Sequence, residues 1–469
     1  MFLDELRADF TELQSNIADG PILPNVTAEE VRTYLKSRYD FHRTMPLEQV
    51  VSDVEDMLRK WQVQVTHPRY FGLFNPSVTL ASVIAEALVA MYNSQLANWR
   101  TSPAANEIER HTLDWLAEKF GLPRNSIATF TSGGTEANVS AVVAALTRAC
   151  PDYSEHGVRC LNAAPAIYLT SETHHGYNKI AHIMGLGRRA LRIVATDHDL
   201  KMDLSDLQRC VAEDRQKGFL PFLVIGTAGT TATGVIDPLQ GIGRFCREEG
   251  LWFHVDAAWG GAAILVPNLR YCLEGIEQAD SITCDAHKWF SVSMGCGMFF
   301  CRHQDTVAQA FRSDVSYMPS KQTGPVFDPH ANSVQWSRRF IGLKLFMALA
   351  QLGEDGYAEM IGHQARMGDV LREALRTSGW LIMNSTPLPL VCFTRSGLIP
   401  GDLVASLHRD QIAWMSEARV GNIPVVRACI TSFRTTERDI QWVVSEMNRL
   451  AGTTSLTRCP ETGQGLVSA

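Results

Sequence analysis

The sequence predicts an α/β fold: a mostly parallel central sheet with helices on both faces, an N-terminal helical arm and a small C-terminal α+β domain. Three observations carry this. From about 120 to 302, short apolar runs at 166–170, 191–195, 221–226, 251–255, 281–284 and 297–301 alternate with helical patterns. Such alternation implies a parallel sheet with its ligand site outside the carboxyl ends of the strands. Before it, Leu47, Val50, Val51, Val54, Met57 and Leu58 recur at three- and four-residue spacing, a helical stripe with nothing in its own segment to bury against. After the loop at 319–329, a helical pattern over about 334–379 leads into strands near 389–393 and 425–431. The expected organisation is therefore a dimerising helical segment at 1–75, a large α/β domain at 76–345, a small domain at 346–452 and a mobile Thr-, Ser- and Gly-rich tail at 453–469.

Composition bounds the function. The 469 residues are 45% hydrophobic and 20% charged, those of a folded globular protein. A net charge of −7 provides no basic field for nucleic acid or an anionic membrane. No apolar stretch reaches the ~20 residues of a membrane span, and the first residues, with Asp4 and Glu5, lack the basic start of a secretory signal. Eleven Cys without any C-x-x-C read as reduced thiols, most of them small core residues, in a cytoplasmic protein. The 14 His show no metal-ligand spacing, so no metal is expected. Gly185-Leu186-Gly187-Arg188-Arg189-Ala190 fits a dinucleotide pattern but precedes a strand instead of following one, and reads as a helix-ending turn.

The chemistry concentrates in His254-Val255-Asp256-Ala257-Ala258-Trp259-Gly260-Gly261 and Asp285-Ala286-His287-Lys288-Trp289. The strand 251–255 puts Asp256 at its carboxyl end, beside small residues that leave room for a flat ligand. Lys288 follows 32 residues later, just past the strand 281–284. A lysine amine forms a Schiff base with an aldehyde, and a buried carboxylate keeps a pyridine nitrogen protonated. Pyridoxal 5'-phosphate needs both to act as an electron sink. The plainer reading, a strand-capping Asp and a surface Lys, does not account for their joint occurrence in this order. Ser132-Gly133-Gly134-Thr135-Glu136-Ala137-Asn138 supplies exposed N–H groups at a helix start, a phosphate site.

In this order the motifs resemble the group II pyridoxal-phosphate-dependent amino acid decarboxylases, the fold-type-I family that includes aromatic-L-amino-acid and glutamate decarboxylases. The likeness runs from about His67 to Arg438. It implies that Lys288 is the Schiff-base lysine, Asp256 the pyridinium partner and Ala258 the small residue against one ring face. Alignment through Ser171-Glu172 puts His175 on the ring-stacking histidine, with His174 the one-residue alternative. Gly133, Gly134 and Thr135 match the phosphate binders, with Asp285 and His287 approaching the same group. Many relatives have Asn where this chain has Asp285, and an acid there is unfavourable unless it accepts other hydrogen bonds. Thr231 matches a threonine near the ring hydroxyl and substrate carboxylate. Tyr317 matches the mobile-loop tyrosine that returns a proton after carbon dioxide leaves. Arg427 matches a carboxylate-binding arginine and is equally readable as structural. Arg338 and Arg339 read as scaffold or interface.

The resemblance implies a homodimer with its active site at the interface, converting an L-amino acid to the amine and carbon dioxide. Phe71, Phe74 and Trp99 favour an aromatic substrate, whereas Arg69 or Arg100 would suit an acid such as glutamate or aspartate. Each aromatic is as readily plain core. The rival readings are an aldehyde synthase, in which the same site meets oxygen, and a catalytically dead relative serving as a scaffold. The intact Lys288, Asp256, His175 and Tyr317 argue against the second, and the His287-Lys288-Trp289 context argues against a transaminase.

Overall fold

A computed structural model of the chain describes residues 2–75, 77–312 and 326–456. Three helices form the N-terminal arm: α1 (Phe2–Asp19), α2 (Ala28–Arg38) and α3 (Leu47–Lys60). The Thr27-x-x-Glu30 pattern starts α2: the Thr27 hydroxyl accepts from the Glu30 amide at 3.2 Å, and the Glu30 carboxylate from the Thr27 amide at 2.7 Å. Neither α2 nor α3 buries a residue, and Leu47, Val51, Val54 and Leu58 of the α3 stripe are exposed.

The helices α4 (Leu80–Tyr92) and α5 (Pro103–Lys119) lead into the large α/β part. It comprises β1 (Ile127–Thr131), α6 (Gly134–Ala149), the short α7 (Tyr153–His156), β2 (Pro165–Thr170), α8 (Gly176–Ile183), β3 (Leu191–Val194) and α9 (Leu204–Gln216). It continues through β4 (Leu220–Thr227), α10 (Leu239–Glu249), β5 (Trp252–Asp256), β6 (Ser281–Asp285), β7 (Gly297–Cys301) and α11 (Gln304–Phe311). The seven strands lie in the order β1-β7-β6-β5-β4-β2-β3, with β7 alone running against its neighbours. Alternate residues serve opposite faces. Tyr168, Val224, Val255 and Phe300 join one core with α5 and α10, while Ile167, Ile225, Phe299 and Cys301 meet Ala137, Ala141, Ala144 and Ala145 of α6 on the other. Those alanines bring α6 close to the sheet.

The remainder holds α12 (Leu343–Thr377), β8 (Leu381–Ile382), β9 (Leu390–Thr394), α13 (Pro400–Arg409), β10 (Ser416–Val420), β11 (Ile423–Cys429) and α14 (Glu437–Leu456). Its antiparallel sheet has the order β10-β11-β9-β8. Leu345, Ala348 and Tyr357 of α12 pack in the large core, and Met367, Leu371 and Leu375 in the small one. Gly353, at φ 67°, breaks the helix between Ala348 and Tyr357.

The strands expected in the large sheet are all present, but five elements depart from expectation. The helix expected over 334–379 starts at Leu343 and is interrupted, β1, β8 and β10 were not foreseen, and α14 continues to Leu456, into the segment expected as tail. Gly185 and Gly187, both at positive φ, form the turn between α8 and β3 as expected. The expectation of uniformly reduced thiols is overturned at one place: Cys150, capping α6, is joined to Cys160 because the 157–160 turn folds back on the helix end, with the two Cα atoms 6.8 Å apart. Cys246, Cys284, Cys296, Cys301, Cys392 and Cys429 are free and buried.

Arg338 is scaffold. It is 3% exposed, meets Glu109 at 2.9 Å and donates to the Phe130 carbonyl at 3.0 Å. Burial pushes the Glu109 carboxyl up, and Arg338 opposes that shift. Arg338→Ala leaves a buried carboxylate without its cation and is expected to cost about 3–5 kcal/mol, read as a lowered urea midpoint with the cofactor removed; a change within error would show that the pair is not needed.

Candidate active site

The carboxyl edge of the large sheet opens into a cavity of about 390 Å3. Asp256 is the last residue of β5, and Lys288 stands three residues past the end of β6. Both line the cavity, as do Gly133, Gly134 and Thr135 from the β1–α6 junction, Thr231, Ala258, Asp285, His287 and Phe74. Thr230 faces away, bonded within its turn to Thr233 at 2.8 Å and to the Val235 amide at 3.0 Å.

The floor is electrostatically built. Lys288 Nζ lies 3.1 Å from Asp285 Oδ2 and 5.6 Å from the centre of the Phe74 ring. His287 Nδ1 accepts from the Cys296 amide at 3.1 Å, so its proton sits on Nε2, 3.7 Å from Asp285 Oδ2. Burial lowers the His287 pKa despite Asp285. Asp285 Oδ1 is buried without a partner. A Cβ on Gly134 would stand 2.9 Å from Asp285 Oδ2, and one on Gly133 3.4 Å from His287 Cε1. Glycine thus keeps the α6 N-terminus open, with backbone donors aimed at the cradle.

Asp256 is 5% exposed and surrounded by donors. Its Oδ2 accepts from Asn138 Nδ2 at 2.9 Å and faces the Tyr177 hydroxyl at 3.5 Å, while Oδ1 accepts from the Ala258 amide at 3.2 Å. Sequence reasoning assigned no role to Asn138 or Tyr177. The signal for Asn138 was its place four residues after Gly134, on the same helix face.

Three expectations are corrected. It is His174, not His175, that lines the cavity; His175 caps α8 and its carbonyl accepts from Asn178. Burial lowers the pKa of His174, against the pull of Asp256. Phe71 is fully buried in the core of the C-terminal part, because its amide and carbonyl bond Trp414 and Cys429 as an added strand would. Trp99 lies outside the cavity, its indole donating to Glu107 at 2.6 Å. Arg69 is occupied by the Ile412 carbonyl and the Trp442 ring, and Arg100 is exposed. Arg427 reaches the site from β11: Nε donates to Thr231 O, Nη1 to Gly72 O, and the guanidinium lies 5.1 Å from the Phe74 ring with Nη2 buried and unpartnered. Tyr317 lies outside the described residues.

A helix-start cradle, a lysine and a buried carboxylate at neighbouring strand ends fit the phosphate, aldehyde and ring nitrogen of pyridoxal phosphate, and the fold and site define a pyridoxal-phosphate enzyme. Residues 34–396 match the pyridoxal-dependent decarboxylase conserved domain, and the chain belongs to that family of decarboxylases. It is 30% identical to tryptophan decarboxylase 2 of Oryza sativa subsp. japonica over 353 residues, covering 72% of this chain and 70% of that one. It is 26% identical to the 4-hydroxyphenylacetaldehyde synthase of Rhodiola rosea over 455 residues, 93% and 91% of the two chains. A crystal structure of that synthase superposes with a TM-score of 0.85 at 25% identity over 95% and 97% of the chains. Mouse CSAD in its apo form, at 24% identity, shares the fold with a TM-score of 0.88 over 96% of this chain and 97% of its own. Among the described residues no helix is long and apolar enough to cross a membrane.

Burial holds both His67 and His254 at a pKa of about 4, below the ordinary 6.5. The unfolded chain therefore takes up these protons first, so their stabilising contribution is present above pH 6.5 and is lost on acidification towards pH 4. Urea midpoints of cofactor-free protein should fall between pH 6.5 and about 5, where most carboxylates are still ionised, and less steeply in His67→Gln; equal slopes would contradict the assignment.

Proposed function

We propose that the protein decarboxylates an aromatic L-amino acid to its amine, as a cytoplasmic homodimer. The observation that carries this is one cavity holding Lys288, Asp256 and an aromatic wall, Phe74 against Trp259 at 4.7 Å, with Arg427 bonded to the carbonyl of the lining residue Thr231. When bound, pyridoxal phosphate accepts the electron pair released as the bond from Cα to the carboxylate breaks. Lys288 would hold the cofactor's aldehyde, Asp256 would keep its ring nitrogen protonated, Ala258 and His174 would lie beside the ring, and Gly133, Gly134, Thr135 and His287 would hold the phosphate. Arg427 Nη2 and Thr231 orient the substrate carboxylate. Tyr317 returns the proton to carbon.

The dimer is supported by the exposed apolar stripe of α3, which needs a surface to cover. Trp99, outside the cavity of its own chain, then has a substrate role only in that of a second copy. Light scattering is expected to give a dimer, and a fully active monomer would refute that part.

The relatives include both decarboxylases and aldehyde synthases. A panel of L-amino acids assayed for carbon dioxide, amine and hydrogen peroxide separates the outcomes. Aromatic substrates should give amine without peroxide. Preference for glutamate or aspartate would overturn the substrate class, and peroxide formed in step with carbon dioxide would make the enzyme an aldehyde synthase. Lys288→Ala should fold normally yet retain no cofactor on a peptide after borohydride reduction, whereas wild type carries it on Lys288; labelling elsewhere would sink the assignment.

A further inference from the structure

Behind Asp256 lies a closed chain of buried polar groups that the proposed chemistry does not touch. Trp252 Nε1 and Ser281 Oγ are 2.9 Å apart, Ser281 Oγ and His254 Nδ1 2.9 Å, His254 Nε2 and Asn138 Oδ1 3.1 Å, and Thr283 Oγ1 and Asn138 Oδ1 2.7 Å. From Asn138 the chain ends on Asp256 Oδ2. His254 is fully buried, and Asn138, Ser281 and Thr283 are 3% exposed or less.

Donor and acceptor chemistry gives the chain one consistent direction. An indole N–H only donates, so Ser281 accepts from Trp252. With the Ser281 hydroxyl given to His254 Nδ1, the neutral imidazole carries its hydrogen on Nε2 and donates to Asn138 Oδ1, with Thr283 Oγ1 3.5 Å from the same Nε2. With its oxygen taken by His254 and Thr283, the Asn138 amide turns its NH2 towards Asp256, so the chain runs from Trp252 to the carboxylate.

We infer that Asn138 and His254 are positioning residues that hold the Asp256 carboxylate in the orientation and charge state in which it pairs with the cofactor ring nitrogen. This rests on the proposed role of Asp256. The device is economical because β5 and β6 supply every group of the chain but Asn138, with His254 opposite Ser281 and Asp256 opposite Thr283. The alanines of α6 bring Asn138 within reach.

The test uses the loaded enzyme and reads the visible absorbance and circular dichroism of the bound cofactor, its rate of loss on dialysis, and kcat and KM separately. Asn138→Leu keeps the size and removes all three bonds. It should alter the bound-cofactor spectrum, speed cofactor loss and lower kcat on the order of tenfold, as loss of second-shell partners does at metal sites, with KM little changed. His254→Gln places an N–H where Nε2 stood and should stay near wild type, whereas His254→Asn, lacking it, should resemble Asn138→Leu. A merely structural role would lower the unfolding temperature of all three variants and leave the spectrum of whatever cofactor-loaded enzyme remains unchanged, and that result would overturn the inference. Should Asn138→Leu not fold, the His254 pair decides, since equal behaviour of Gln and Asn also overturns it. Asp256→Asn is the control: if it leaves the spectrum and kcat intact, the role of Asp256 is wrong; if it changes them while the Asn138 and His254 variants do not, only the inference fails.

Discussion

A carboxylate placed in the interior must be matched by donors, or it is expelled or protonated. Asp256 sits under that constraint, and much of the large domain is arranged around it. Its donors come from three separate elements: Asn138 from α6, Tyr177 from α8 and the Ala258 amide from the turn after β5. For the first to arrive, α6 must lie close over the sheet, which its alanine face permits. For the second, α8 must begin soon after β2, with only residues 171–175 between them, and so His174 in that turn borders the cavity. The same packing that satisfies the carboxylate therefore sets the positions of the α6 N-terminus and of His174.

The phosphate cradle shows how a local departure from the family pattern is accommodated. Asp285, where many relatives have Asn, is 2% exposed and would be an unmatched anion by itself. Lys288 Nζ lies at 3.1 Å and His287 Nε2 at 3.7 Å, and Gly134 leaves the space that a Cβ would take from Oδ2. The acid is thus tied to the lysine three residues on, and its second oxygen is buried without a partner.

The parts of this arrangement legible in the sequence are those with a one-dimensional signature. Strands buried on both faces read as apolar runs, and Asp256 and Lys288 follow from standing just after two of them. The short or half-exposed β8 and β10 carry no such run, and β1 was absorbed into the glycine motif that follows it. His174 and His175 differ by one position at a helix start, a rotation of about 100°, and only the seating of α8 decides which faces the cavity. Phe71 and Phe74 share a segment whose hydrogen bonds to Trp414 and Cys429 turn the first towards the small core and leave the second at the site. The Cys150–Cys160 link depends on a turn after α6 that spacing alone does not reveal.

The same geometry argues for the substrate class proposed. An acidic side chain needs a cation beyond the one that meets its α-carboxylate. Of the arginines suggested by sequence, Arg69 is bound to the Ile412 carbonyl and stacked on Trp442, and Arg100 is exposed. Arg427 alone among these three bonds a residue that lines the cavity, Thr231, and two of its three nitrogens are fixed on backbone carbonyls of Thr231 and Gly72. One free nitrogen serves one carboxylate. With Arg427 given to the α-carboxylate, the neighbouring surface offered to a side chain is the Phe74 ring and the Trp259 against it, whose flat apolar faces match an aromatic ring. An acid facing that wall would be desolvated without a cation from this set, an expense of the order of several kcal/mol, so the assignment of Arg427 and the aromatic preference stand or fall together.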